Sequence, residues 1–267
     1  MNENILFAFL LTLLAGLSTG IGGIIAFMKK DMNAKFLSFT LGLSAGVMLY
    51  VSFVEILVES QEVLANIYGS KLGNLYAILS FFGGILLIGL IDTLVPSTFN
   101  PHDMHSFSEK EKEDLQKKSF MRIGIFTAIA ITIHNFPEGL ATFVSAVEDP
   151  SLGITIAFAI AIHNIPEGIA VSVPVYYATG SKRKALRYSF LSGLSEPLGA
   201  IAGYFLLMHF FSDNIMGFIF GIVAGIMVFI SLDELLPAAQ KFGKHHWSIY
   251  GVVAGMAIMA VSLILLG

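Results

Sequence analysis

Apolar residues in this chain gather into long runs separated by short polar breaks, and the runs have the length of membrane-crossing helices. Eight spans are read from the pattern, over residues 5–28, 36–58, 72–95, 120–147, 151–179, 188–211, 214–237 and 248–267. A helix of about 20 apolar residues crosses the hydrocarbon core of a bilayer. Barrel strands are about half that length and alternate with period two, which these runs do not. The pattern therefore predicts an all-α integral membrane protein with one transmembrane domain over residues 1–267. The longest break, 96–119, is rich in charges of both signs, from Asp103 through Glu109, Lys110 and Glu113 to Lys118. It reads as a flexible, solvated loop between spans 3 and 4.

The cations orient the spans. If the loops joining spans 1–2, 3–4, 5–6 and 7–8 share one side, every Lys and Arg except Lys71 lies on that side. Positive charge marks the cytoplasmic face, so those loops are expected in the cytosol and both termini outside. Composition excludes other classes. With 55% apolar and only 13% charged residues, a net charge of −4 and no cysteine, the chain is neither a water-soluble enzyme, nor a disulfide scaffold, nor a nucleic-acid binder. Its surroundings are the lipid of a cell membrane, which it crosses many times.

The sequence also repeats itself. Span 4 carries His134-Asn135-Phe136-Pro137-Glu138-Gly139 and span 5 carries His163-Asn164-Ile165-Pro166-Glu167-Gly168. Spans 2 and 7 share a pattern at constant offset: Gly42, Ala45, Gly46, Met48, Ser52 and Glu55 against Gly221, Ala224, Gly225, Met227, Ser231 and Glu234. A weaker echo links Ala15-Gly16-Leu17-Ser18 in span 1 with Ser192-Gly193-Leu194-Ser195 in span 6. Members of each pair cross the membrane in opposite directions, so spans 1–3 against 6–8, and span 4 against 5, predict inverted repeats with a binding site at mid-depth.

Ionisable side chains in mid-membrane cost at least about 2.5 kcal/mol each, so each needs a function or a partner. His134 shares a helix face with Glu138, and Asn135 lies beside the same carboxylate; His163, Asn164 and Glu167 repeat the arrangement. His134 lies about 21 Å into span 4 and His163 about 18 Å into span 5, so both sets sit near the midplane and can meet. Pro137 and Pro166 are expected to kink their helices and free the carbonyls of Ile133 and Ile162, which is tolerated where they are buried or line a wet cavity. A single intramembrane histidine or asparagine usually ties helices together, but a duplicated set at matched depth points to cation coordination. A bare proton relay is the weaker reading, since asparagine amides cannot shuttle protons. Imidazole, amide and carboxylate without thiolate suit Zn²⁺, Fe²⁺, Mn²⁺ or Co²⁺, and two carboxylates able to bridge make a binuclear site plausible.

Glu196, followed by Pro197 and Gly199, is a further candidate ligand near the midplane. Glu55 near the outer end of span 2, and Asp92, Asp233 and Glu234 near the cytoplasmic ends of spans 3 and 7, are candidates for the path in and out, although such carboxylates also simply reach for the interface. His102 and His105 in the long loop could hold a departing ion weakly. Gly16, Gly20, Gly22 and Gly23 in span 1 are expected to let packed units slide.

At these residues the chain resembles the ZIP family of divalent-metal transporters, and in particular its bacterial ZupT-like branch, over essentially its whole length. The resemblance implies uptake of zinc, with iron, manganese, cobalt and cadmium, into the cytosol by alternating access through a binuclear centre. That centre would comprise His134, Asn135, Glu138, His163, Asn164, Glu167 and Glu196. In the family, helices 1, 4, 5 and 6 move against 2, 3, 7 and 8, often in a homodimer. The metal is then substrate, with up to two ions bound, and there is no catalytic cofactor. The rival is a membrane-embedded di-metal enzyme, but di-iron bundles use Glu-x-x-His, here replaced by a proline-broken His-x-x-x-Glu, and no His-Glu-x-x-His occurs.

Overall fold

The computed structural model describes residues 3–28, 33–94, 109–148, 150–207, 213–241 and 244–266, and among them there is no strand. The helices are α1 (Glu3–Ala26), α2 (Ala34–Val51), α3 (Leu57–Tyr68), α4 (Ser70–Leu94), α5 (Glu109–Glu148), α6 (Pro150–Thr179), α7 (Lys182–Gly193), α8 (Ser195–Leu207), α9 (Asp213–Ile230), α10 (Leu236–Lys241) and α11 (His245–Leu266). Among the described residues, seven continuous helical stretches are long and apolar enough to cross a membrane. The remaining apolar run is divided between α7 and α8, which meet at Leu194 (φ −67°, ψ −9°). The cause is Pro197, which has no N–H to give the Gly193 carbonyl. Pro137 and Pro166, by contrast, end neither α5 nor α6.

Helices extend beyond the apolar runs. The second continues to Tyr68 rather than ending near 58. Helix α5 begins at Glu109, inside the segment expected to be loop. Residues 96–108 of that segment, with His102 and His105, lie outside the described residues. Hydropathy marks where the bilayer ends, not the helix. Glu, Lys and Gln are strong helix formers, and a Glu113–Lys117 pair at 2.6 Å joins successive turns of this extension.

Among the described residues, two π-helical turns interrupt the long helices, at Ser52–Ile56 between α2 and α3 and at Ser231–Leu235 between α9 and α10. They fall at the same register of the repeated pattern. In each, the opening serine hydroxyl donates to a methionine carbonyl one turn back, Ser52 to Met48 at 2.6 Å and Ser231 to Met227 at 2.8 Å. In each, the following leucine N–H reaches back to that serine's carbonyl, and the acidic residue, Glu55 or Glu234, occupies the fourth position. Such single-turn π insertions are frequent at functional sites.

The helices pack as two groups: α1, α5, α6, α7 and α8 on one another, and α2, α3, α4, α9, α10 and α11 on one another, joined chiefly through α2 against α6 and α5 against α9. Lipid offers no hydrophobic drive between helices, so close contact of small residues holds each group together. A Cβ added at Gly46 would stand 2.1 Å from the Val252 carbonyl oxygen, and one at Gly225 would stand 2.0 Å from that of Phe81. The glycines of α1 behave likewise. Gly16 faces the Gly193 backbone, Gly20 the Phe190 ring, Gly22 the Ile165 backbone and Gly23 Ser189. All these partners belong to the group of α1 itself. The expected sliding role is therefore overturned: these glycines fuse α1 to α6, α7 and α8. Between the groups lies an apolar cluster holding Met48, Phe126, Val173, Ile226, Ile230 and Leu235, while residues such as Leu86 and Ile264 project outward for lipid.

Candidate metal centre

His134, Asn135 and Glu138 stand on α5, His163, Asn164 and Glu167 on α6, and Glu196 in the first turn of α8. All seven are buried. Backbone contact sets the spacing: a Cβ at Gly139 would lie 2.1 Å from the Glu196 carbonyl oxygen, and one at Gly168 1.7 Å from that of Thr19. Only glycine lets α8 and α1 approach this closely, and the first approach delivers Glu196 beside the α5 donors.

The histidines pair across helices rather than along them. His134 Nε2 lies 2.9 Å from Glu167 Oε1, and His163 Nε2 lies 3.3 Å from Glu138 Oε2. The two contacts interchange under the offset relating the hexapeptides. Glu196 Oε1 accepts from Asn135 Nδ2 at 3.2 Å and from Asn164 Nδ2, which also donates to the Ala15 carbonyl at 3.0 Å. Other contacts obey the same relation: Gly16 and Gly193 face each other reciprocally, and Gly22 meets Ile165 as Gly199 meets Phe136. In this relation Thr19 stands where Glu196 stands, so the pseudo-symmetry is broken at the seventh donor.

Each of the seven side chains keeps one buried polar atom without a hydrogen-bond partner: His134 Nδ1, Asn135 Oδ1, Glu138 Oε1, His163 Nδ1, Asn164 Oδ1, Glu167 Oε2 and Glu196 Oε2. Only three more such atoms occur among the described residues, on Thr19, Arg122 and Thr127. An orphaned buried polar atom costs about 1–3 kcal/mol, so a packing role alone does not explain seven in one volume. With Nε2 protonated toward a carboxylate, each imidazole offers its Nδ1 lone pair, the arrangement metal-binding histidines use. All seven atoms are then acceptors, a donor set that suits a cation.

A cavity of about 410 Å³ adjoins the centre on the side of the α5–α6 turn, lined by Glu55, Glu59, Pro137, Glu138, Ala141 and His163 among others. Glu55 is thus not at a helix end: it lies about 20 Å before Tyr68, at the depth of the centre. Glu59, one turn nearer the mouth, was not singled out from sequence, because the helix was expected to end near it. At the other end of α5, Asp92, Asp233 and Glu234 come together with carboxylate oxygens all within 4.8 Å. Arg122 binds two of the three. It donates from Nη1 to Glu234 Oε1 at 2.7 Å and from Nη2 to Asp92 Oδ1, and its guanidinium stacks over Phe126 at 5.9 Å. In the sequence Arg122 is one of the basic residues of the cytoplasmic side, with nothing nearby to mark its partners. Among the described residues this trio is the one set of three His, Asp or Glu ligand atoms lying that close; the donors of α5 and α6 form two His–Glu pairs.

Residues 96–263 match the family described as ZIP zinc transporter. The chain belongs to the ZIP family. Relatives named zinc transporter ZupT agree over nearly the whole length. The protein of Oceanobacillus iheyensis is 60% identical over 266 residues and that of Streptococcus mutans 61% over 265 residues, each match covering 99% of both chains. That of Clostridium perfringens is 58% identical, covering 98% of this chain and 97% of its own. With its apolar helices, ZIP membership makes this a multi-pass protein of the cell membrane with a transport role, and the enzyme reading is dropped.

Proposed function

We propose that the chain carries zinc into the cytosol by alternating access, accepting iron, manganese, cobalt and cadmium as well, through a binuclear centre of His134, Asn135, Glu138, His163, Asn164, Glu167 and Glu196. The observation that carries this reading is the set of seven buried, unpartnered acceptor atoms contributed by two halves related by reciprocal contacts. The names of the relatives support zinc as substrate. Counting α7–α8 as one broken span gives eight crossings, and the position of the basic residues puts both termini outside. Inverted repeats with the site between them are the usual architecture of alternating access. The family resemblance adds a homodimer.

An ion enters the cavity past Glu59 and Glu55, loses water to the four His–Glu groups, and gains amide and Glu196 oxygens. It leaves toward the cytosol past Asp92, Asp233 and Glu234. Uptake of ⁶⁵Zn into proteoliposomes tests the assignment. Glu138→Ala and Glu167→Ala are expected to abolish uptake while the protein remains folded in the membrane. Wild-type uptake in both variants would remove the centre from the mechanism. Accumulation of zinc in the lumen without turnover of a second compound separates transport from any enzymatic use of the metal.

A further inference from the structure

We infer that Arg122 is the latch of the cytoplasmic gate, a bidentate clamp that holds the carrier open to the outside and must let go before an ion is released inward. The inference rests on the transport reading above and names the residue that regulates it. Arg122 belongs to α5, which carries three of the seven donors. Its two partners, Asp92 on α4 and Glu234 on the second π turn, belong to the group of helices that carries none. One side chain therefore ties the donor-bearing group to the other at a single level. Arg122 lies about 18 Å from His134 along α5, at the end remote from the cavity.

The repeat indicates which state the clamp belongs to. Glu55 and Glu234 hold the same position in equivalent π turns. Glu55 lines the cavity that reaches Glu138 and His163, and among the described residues it makes no ion pair. Glu234 is 5% exposed and bound to the guanidinium. In an inverted repeat the two ends exchange roles when access reverses. The environment of Glu55 in this structure is then the one Glu234 enters in the opposite state, and Arg122 cannot keep both partners there. Asp233 is the third carboxylate at the clamp, so the single guanidinium compensates only part of the negative charge at the exit, and its departure would leave three carboxylates facing an ion. The stack on Phe126 lets the released guanidinium rest at the edge of the apolar cluster.

The chain has no cysteine, so single-cysteine reporters need no background changes. Ala141→Cys reports on the outer cavity. Val173→Cys reports on the closed side, where Val173 is fully buried in the cluster with Phe126 and Leu235. Each is labelled with a membrane-impermeant maleimide in vesicles of both orientations. Arg122→Gln is expected to raise cytoplasmic labelling of Val173→Cys about tenfold and to lower outside labelling of Ala141→Cys, as a shifted two-state equilibrium requires. A clamp that merely stabilised the fold would lower stability without moving the reporters in opposite directions.

Should three unneutralised carboxylates prevent Arg122→Gln from folding, the uncharged combination Arg122→Met, Asp92→Asn, Glu234→Gln serves instead, since neutral replacement of a buried ion pair is commonly tolerated. The same opposite shifts are expected. Unchanged labelling at both reporters, in whichever variant folds and with a wild type that carries zinc, overturns the latch. A wild type that carries no zinc overturns the transport reading instead, while labelling still tests the clamp.

Discussion

Glu196→Gln separates a ligand from a scaffold at the one donor without a symmetry mate. The glutamate is fully buried, its Oε1 accepts both asparagine amides and its Oε2 has no partner. Glutamine has the same shape and its amide oxygen can accept both N–H groups, so without metal the variant's stability is expected within about 1 kcal/mol of wild type. What it loses is one of three negative charges around the ion. At an effective dielectric of about 20, a charge about 4 Å from a divalent ion is worth about 8 kcal/mol before desolvation. A net loss of about a third of that corresponds to roughly 100-fold weaker binding, or about 2.7 kcal/mol less stabilisation at saturating zinc. For a chain of this size 1 kcal/mol moves Tm by about 2–4 °C, so the zinc-induced rise in Tm should shrink by roughly 5–10 °C. The assay is thermal unfolding in detergent with and without zinc, alongside ⁶⁵Zn uptake. A zinc-induced shift equal to wild type, with uptake intact, would refute the charge argument and leave Glu196 as an orienting group for Asn135 and Asn164.

Two further outcomes follow from packing and from the cavity. Gly168→Ala puts a methyl group 1.7 Å from the Thr19 carbonyl oxygen, whereas a Cβ at Gly83 meets nothing within 4 Å. The first should therefore destabilise by about 1–3 kcal/mol through overpacking, while Gly83→Ala stays neutral in the same unfolding assay; equal effects would contradict the close approach of α1 and α6. Replacing Glu55 and Glu59 together by glutamine should raise KM for zinc several-fold and leave the maximal rate nearly unchanged, because these groups attract the ion without joining the seven donors. Saturation kinetics of ⁶⁵Zn uptake decide it, and a collapse of the maximal rate would move Glu55 into the centre itself.

Much of the site was legible in the sequence for one physical reason: an ionisable residue in an apolar helix is expensive, so four of them, with two asparagines beside them, at repeated spacing cannot be incidental. Their pairing was not legible. Spacing places His134 beside Glu138 on one helix face, but which carboxylate the ring meets depends on how α5 and α6 pack, and the answer is Glu167. Arg122 looked like one more cation near a membrane boundary, because its partners lie on α4 and the second π turn, far away in sequence. The π turns leave no trace in hydropathy. Their trace in the sequence is the constant offset between Ser52–Glu55 and Ser231–Glu234, which continues the glycine pattern of the two helices. The division of the sixth span was hidden for a related reason. The break falls at Leu194, inside an apolar run that hydropathy reads as continuous, because Pro197 acts on a carbonyl four residues back.

The relation between the halves also explains why the centre is built as it is. Reciprocal His134–Glu167 and His163–Glu138 pairs make two equivalent half-sites, each pinned by a proline-containing helix and a glycine contact. Perfect equivalence would leave an ion no reason to prefer one half over the other. The breaks in symmetry supply the difference. Glu196 answers to Thr19, which puts a third carboxylate on one side only, and Glu234 answers to Glu55 but is bound to an arginine that has no counterpart in the other half. Charge in the centre is thus displaced toward Asn135 and Asn164 through the carboxylate they share, and charge at the two mouths is unequal, open at Glu55 and neutralised at Glu234. On the proposed alternating-access reading, that inequality sets the affinity presented to each side, on a framework whose two ends are otherwise interchangeable.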